Sequence, residues 1–375
     1  MNKKDLKIGI TLSGGGIRAM VFHLGVLEKL AQENLLQNIT EISTVSGGSL
    51  LIGLIYSLSN NKWPSNEQLL NEISPKIKKL LTEKSLQFES FLRLLINPWN
   101  IFNKANVVSK TIRKIWRITS SLNKIKDKPI WSINATCFET GKRFRFKSND
   151  IDQIGDYLTG YTNDSKFKLS DAIACSAAFP GLIGCFKLNP NKYRWYSYKD
   201  KNKTIKELKN PLSKTYHIWD GGVYDNLGTE PLFKNEEVEK FKGDFNFLIV
   251  SDASQKLVSK NRGFIFKNSY RLLNITMDQV RSLRARYIID YFSKNKNKGF
   301  YLQIGNTVDY IQTHSKIKIE KEEIFNCLSG DEVKRANDYP TTLKKIKKND
   351  FGLLKRHGWE TANYTMKTYC HELFQ

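Results

Sequence analysis

The run Gly14-Gly15-Gly16-Ile17-Arg18 stands between a short apolar stretch, Ile8 to Leu12, and a helical apolar pattern carried by Val21, Leu24, Leu27 and Leu30. Strand, glycines and helix in that order admit few folds, because the strand suits the middle of a parallel sheet and the helix must open with bare backbone N–H groups. Ile39 to Val45 then reads as a second strand, and Leu50 to Leu58 as a strongly apolar helix that begins directly after Ser46-Gly47-Gly48. A serine at a tight strand-to-helix turn presents an exposed hydroxyl. Side by side, the two turns make a candidate oxyanion hole and its nucleophile.

Trp219-Asp220-Gly221-Gly222 completes the set, following Tyr216-His217-Ile218 at the end of what reads as a buried strand. The carboxylate sits where the chain leaves a sheet, between glycines that permit close approach. Each element alone has a plainer reading. The glycine triplet would suit a nucleotide loop, yet it lacks the G-K-[ST] of a P-loop and any following G-x-x-G spacing. Ser46 alone would be a turn serine beside Ser43 and Ser49, and Asp220 alone a turn cap. The apolar strand into Val45, the Gly47-Gly48 pair and the conjunction of three motifs favour a hydrolase site.

At these residues the chain resembles the patatin-like phospholipase family, whose pattern is a GGGxR-type anion loop, a GxSxG elbow and a late DGG or DGA. Gly14 to Arg18, Thr44-Val45-Ser46-Gly47-Gly48, Asp171 to Gly181 and Asp220-Gly221-Gly222 carry the resemblance, with family-like wording in Phe22 to Leu27 and looser echoes in Gln279 to Tyr287 and Leu354 to Tyr369. The resemblance implies an α/β fold with a central, mostly parallel sheet flanked by helices. It implies a Ser–Asp dyad in place of a triad, with Ser46 as nucleophile and Asp220 as base. Gly14, Gly15, Gly16 and Arg18 would form the oxyanion hole, and Gly47, Gly48, Gly221 and Gly222 would support the elbow and the base. It implies a phospholipid or other acyl-lipid substrate, and no metal, calcium or other cofactor. Thr44 departs from the pattern: it stands where the family usually has the first glycine of the elbow.

No histidine is needed by such a dyad, and His23, His217, His314, His357 and His371 lie in no motif that demands catalysis; His23 and His217 read as packed, hydrogen-bonded residues. The small-residue stretch Asp171 to Gly181 is assigned to support of the pocket, with Ser176 and Phe179 as wall candidates. The five cysteines are widely spaced and without metal-ligand pattern, as expected of reduced thiols.

The 375 residues carry 60 Lys and Arg against 37 Asp and Glu, a formal net charge of +23, so attraction to anionic surfaces is the default expectation. No zinc-finger, RNP-like or basic-zipper motif appears, which points to peripheral contact with an anionic membrane and not to specific nucleic-acid binding. Lys3 and Lys4 precede too short an apolar run for a signal peptide, and no stretch of about eighteen apolar residues occurs. The expectation is a soluble, cytoplasmic protein able to touch the inner face of a membrane. Nothing in the sequence speaks to oligomeric state.

One patatin-like domain over 1–375 is expected, with a core over about 5–310 and a C-terminal helical segment over about 311–375 packed on it. A helical insertion of about 64–128 and a polar, lysine-rich loop or hairpin of about 189–214 interrupt the core. Within the first, Val108, Ile112, Ile115, Ile118 and Leu122 share a face, while basic residues crowd between Lys104 and Lys128 with Asp127 as the sole acid. Phe91 to Lys128, with Trp99, Phe102 and Trp116, suits an interfacial lid, or equally a helix pair packed on the core. Two rivals to a phospholipase stand: the same dyad acting on another ester or a thioester, and a non-catalytic module that binds membrane or nucleic acid.

Overall fold

The structure, a computed structural model, describes residues 3–149, 154–163, 167–181, 183–200, 205–234, 240–255, 257, 265–313, 315 and 317–374. Among these, twelve strands form one mixed sheet. Its parallel part runs β12 (Gly299–Gln303), β11 (Phe247–Asp252), β1 (Ile8–Leu12), β2 (Ile39–Val45) and β3 (Ile130–Cys137). Every residue of β1, β2 and β11 is buried, as both-face burial demands of near-continuous apolar strands. Beyond β3 the sheet turns antiparallel through β4 (Arg143–Lys147), β5 (Ile154–Asp156), β6 (Gly160–Thr162), β8 (Trp195–Tyr198) and β9 (Lys206–Lys209). Of the two readings of the excursion before Asp220, loop or hairpin, the structure has the hairpin, with β8 and β9 paired antiparallel. On either side of it β7 (Phe186–Leu188) pairs with β10 (Tyr216–Asp220), and β10 pairs with β3.

The convergence of distant motifs follows from β3. Its lower half pairs in parallel with β2 up to Val45 opposite Asn134, and its upper half pairs antiparallel with β10 down to Asp220 opposite Ala135. β2 and β10 therefore meet head-on along one edge of β3. The residue that follows β2 is Ser46, and the last residue of β10 is Asp220.

Helix α1 (Gly16–Gln32) is buried along nearly its whole length, apolar almost all round because the sheet lies on one side and the C-terminal helix Lys348–Tyr369 on the other. The helices cross at glycines: a Cβ on Gly25 would overlap the Lys355 carbonyl, and one on Gly358 the Phe22 carbonyl. Helix α2 (Gly47–Leu58) leaves the elbow under α1 and packs against the Leu169–Ser176 helix. The expected helical insertion is present as Ser74–Glu83, Leu86–Ile96 and Lys104–Ile115. Val108, Ile112, Ile115, Ile118 and Leu122 all enter the core, and so does Trp116, which removes it from any interfacial face.

Candidate functional site

Three chain reversals bring the sequence motifs to the carboxyl ends of β1, β2 and β10, the place where open α/β sheets bind ligands. At the first, Gly15 (φ 145°) and Gly16 (φ 59°) take backbone angles that an L side chain resists. The three glycine amides differ in their engagements. The Gly14 N–H donates to the Asn226 carbonyl at 3.2 Å and the Ile17 N–H to the Thr342 carbonyl at 3.0 Å, while the Gly15 and Gly16 N–H groups have no acceptor among the described residues. The loop thus offers two open donors at a helix N-terminus, fewer than the glycine count suggests. Arg18 is buried and its guanidinium is consumed by carbonyls, donating to Ala253 at 3.2 Å and Tyr339 at 2.6 Å. It ties α1 to the chain after β11 and to the segment before Thr342.

At the second reversal Ser46 has φ 49° and ψ −110°, a strained conformation for a non-glycine residue and the one a nucleophile elbow imposes. The space beneath it is closed: a Cβ on Gly48 would strike the Leu12 carbonyl, and one on Gly47 would stand 3.0 Å from the Gly16 nitrogen. Thr44, the departure from the family pattern, is accommodated by hydrogen bonds. Its hydroxyl accepts from Trp131 Nε1 at 2.8 Å and pairs with Ser49 Oγ at 2.8 Å. Ser49 Oγ in turn lies 2.8 Å from Ser176 Oγ, which accepts the Ser46 amide at 3.0 Å. A buried hydroxyl chain under the elbow replaces the missing glycine.

At the third, Asp220 is buried, and its Oδ1 accepts the Gly222 amide at 2.7 Å. Oδ2 is also buried and has no hydrogen-bond partner of standard geometry among the described residues. Ser46 is nonetheless the side chain whose hydrogen bonding weighs on this carboxyl. Both side chains line the same cavity, and catalytic hydrogen bonds are commonly long before substrate binds. Burial pushes the Asp220 carboxyl up to about 7, against the lowering pull of Gly222 and Ser46. Gly221 fits only as glycine, because a Cβ there would overlap the Asn134 carbonyl.

His23 lies below the site and not in it. Its Nε2 donates to the Ser13 carbonyl at 3.1 Å, so Nδ1 accepts from Ser251 Oγ at 2.8 Å, and burial lowers its pKa to about 4, which keeps it neutral. His217 pairs with Glu139 at 2.7 Å on the rim of the sheet, and His314 lies outside the described residues. Among the described residues no group of His, Cys, Asp and Glu is arranged to hold a metal ion.

Glycine loop, Ser46 and Asp220 open into one cavity of about 980 Å³. Phe179 and Ile183 form one wall, and Tyr270, Leu272, Ile275 and Met277 of the Ile265–Lys294 helix another, with Phe179 and Tyr270 in edge-to-face contact at 6.3 Å. Asn226, which the motif reading missed, lines the cavity between the loop and the base; its Nδ2 donates to Ser254 Oγ at 2.7 Å. Its only sequence signal is its place shortly after Asp220-Gly221-Gly222.

A mixed α/β sheet with a glycine loop, a serine elbow and a buried aspartate at its strand ends defines a recognisable class of fold. The model of the family described as patatin-like phospholipase matches residues 10–233, more than half of the chain, and the protein belongs to that family. Among solved structures, human GIVD cytosolic phospholipase A2 is similar at 12% identity and a TM-score of 0.51, over 96% of this chain and 59% of that one. The same human protein in complex with methyl gamma-linolenyl fluorophosphonate is similar at 12% identity and a TM-score of 0.50, over 97% of this chain and 58% of that one. At such identity the likeness is one of fold, and the chain spans about three fifths of those proteins' length. No curated protein matches it significantly.

Proposed function

We propose that this protein is a serine lipid acyl hydrolase of the phospholipase A or lysophospholipase type, cleaving glycerolipid acyl esters through Ser46 and Asp220. The observation that carries the reading is that Ser46 and Asp220, whose buried Oδ2 has no partner among the described residues, line one cavity together with two unengaged amides, those of Gly15 and Gly16. Asp220 takes the hydroxyl proton as Ser46 Oγ attacks the ester carbonyl. Gly15 and Gly16 N–H groups bind the oxyanion, each such donor contributing roughly 3 kcal/mol to the barrier reduction. Asp220 returns the proton to the departing alcohol, leaving an acyl-serine, then takes a proton from the attacking water and gives it to Ser46 Oγ as the acyl–Oγ bond breaks and the fatty acid leaves. A carboxyl poised near 7 suits a group that must both take and give a proton close to neutrality. Arg18 acts here as the tether of the loop, with four of its five N–H donors given to Ala253, Gln255 and Tyr339.

The human relative is a phospholipase A2 by name and is seen with a fluorophosphonate, which makes that reagent class the direct probe. A lipid-like fluorophosphonate is expected to label the wild-type chain, and Ser46→Ala to abolish labelling and ester hydrolysis while the circular dichroism spectrum stays native. Hydrolysis retained by a folded Ser46→Ala protein would sink the proposal.

A further inference from the structure

The Leu86–Ile96 helix is amphipathic the wrong way round. Phe88, Phe91, Leu95 and Ile96, spaced for one helical face, point to solvent, while Ser90 is buried and donates to Thr111 Oγ1 of the Lys104–Ile115 helix at 3.1 Å. That inward polar pair fixes the rotation of the helix, so the outward apolar face is built in. The turn that follows, Pro98–Asn103, adds Trp99 at 88% exposure and Phe102 at 78%, beside Ile96 at 84%. Single exposed apolar residues are ordinary; a continuous stripe of them marks a binding surface.

What covers this stripe is constrained by charge. Lys84, two residues before the helix, Lys104, directly after the turn, and Lys110 and Lys114 on the adjoining Lys104–Ile115 helix are exposed and have no ion-pair partner among the described residues. With a net charge of +23, a second copy of this chain is a poor occupant, since like charges would meet at the contact. An anionic bilayer satisfies both halves of the surface: acyl chains for the aliphatic residues, the headgroup layer for Trp99, and lipid phosphates for the lysines. No helix among the described residues is long and apolar enough to cross a membrane, so the contact is of the kind that lies on the surface.

The stripe also begins at the cavity. The Gln87 amide donates to the Leu343 carbonyl at 3.0 Å, and Thr342 Oγ1 donates to Gln87 Oε1 at 3.0 Å. Thr342 and Leu343 line the cavity, and the Thr342 carbonyl accepts from Ile17 at the start of α1. The helix is therefore hinged on the strap that borders the glycine loop.

We propose that Leu86–Ile96 and Pro98–Asn103 form the surface by which this protein docks on anionic lipid bilayers, with Phe91, Leu95, Ile96, Trp99 and Phe102 entering the interface. The docking stands on its own geometry; its purpose, presenting the cavity mouth to lipid, rests on the hydrolase reading above.

The test separates the two. The full chain carrying Ser46→Ala, which leaves vesicles intact, is sedimented with vesicles of phosphatidylcholine alone and of phosphatidylcholine with phosphatidylglycerol. Binding is expected on the anionic vesicles, falling with added salt, and weakened by about tenfold or more when Leu95→Asp and Ile96→Asp are added. A blue shift of tryptophan emission on binding is expected to shrink in Trp99→Phe. With Ser46 intact, the double aspartate variant should hydrolyse a short soluble ester at the wild-type rate and vesicle lipid far more slowly, which shows that the fold survives. The proposal is overturned if the aspartate variant binds vesicles as well as its parent, if the parent binds none, or if the parent is a dimer that the aspartates dissociate. Vesicle binding without hydrolysis of the soluble ester by the Ser46 protein would instead remove the hydrolase and leave the docking.

Discussion

The Ser46 amide donates to the Ser176 hydroxyl at 3.0 Å, and the Ser176 carbonyl accepts the Gly221 amide at 3.3 Å. One residue, at the end of the Leu169–Ser176 helix, thus holds the turn that carries the serine and the turn that carries the aspartate. Its hydroxyl holds one turn and its carbonyl the other, with the Ala178 carbonyl accepting from the Asp220 amide beside it at 3.1 Å.

Removing the hydroxyl frees the elbow and leaves the other tie. Ser176→Ala keeps the carbonyl bond to Gly221 and deletes the acceptor of the Ser46 amide. The expected result is a fall of about tenfold in kcat, equal to about 1.4 kcal/mol of barrier, with KM unchanged. Steady-state kinetics on a soluble ester measure it. A raised KM at constant kcat would show that Ser176 shapes the pocket wall and does not position the elbow.

The motifs were legible because each is local. A glycine loop, an elbow and an Asp-Gly-Gly turn announce themselves within a few residues, and the alternation of strand and helix around them gave the parallel half of the sheet. What the sequence hid was partnership at long range. Ser176 was readable only as a wall candidate, since its bond to Ser46 spans 130 positions. The sequence suggests Arg18 and Gly14 as anion donors and gives no sign of the far partners that hold the Gly14 N–H, Asn226, and most of the guanidinium, Ala253, Gln255 and Tyr339. Strands β5 to β9 are short, polar and partly lysine-rich, so no apolar run flags them. Periodicity also fails to say which way a stripe faces: the face through Val108 and Ile112 turns inward with Trp116, and the one through Phe91 and Leu95 turns out.

Thr44 offers a stability test of the altered elbow. Restoring the family's usual residue by Thr44→Gly would strip the acceptor from Trp131 Nε1 and a partner from Ser49 Oγ, both inside the protein. A buried donor left unmet costs about 1–3 kcal/mol, and glycine in a strand adds about 0.5–1 kcal/mol. The expected outcome of urea denaturation is a loss of that combined size, with Thr44→Ser recovering most of it by returning the hydroxyl. Unchanged stability in Thr44→Gly would mean that the hydroxyl chain contributes nothing net.

Asp220 couples catalysis and stability to pH with opposite signs. Burial raises its carboxyl in the folded chain to about 7, from 3.8 when solvated. Activity needs the ionised form, so kcat/KM should climb as pH rises through about 7 and fall away below it. For folding, the native state keeps the proton between the two values while the unfolded chain has released it. The folded protein then binds more protons, and its stability declines as pH rises from about 4 to about 7, levelling off above. Asp220→Asn has no charge to bury. Its stability relative to wild type should therefore be greater at pH 8 than at pH 5, by about 2.7 kcal/mol for the roughly two pH units below 7 at about 1.4 kcal/mol per unit, while its hydrolysis is lost at both. Denaturation of the two proteins at the two pH values isolates this carboxyl from every other titrating group. A difference that stays constant across that window would show that Asp220 is ionised throughout and that its burial is not what tunes it.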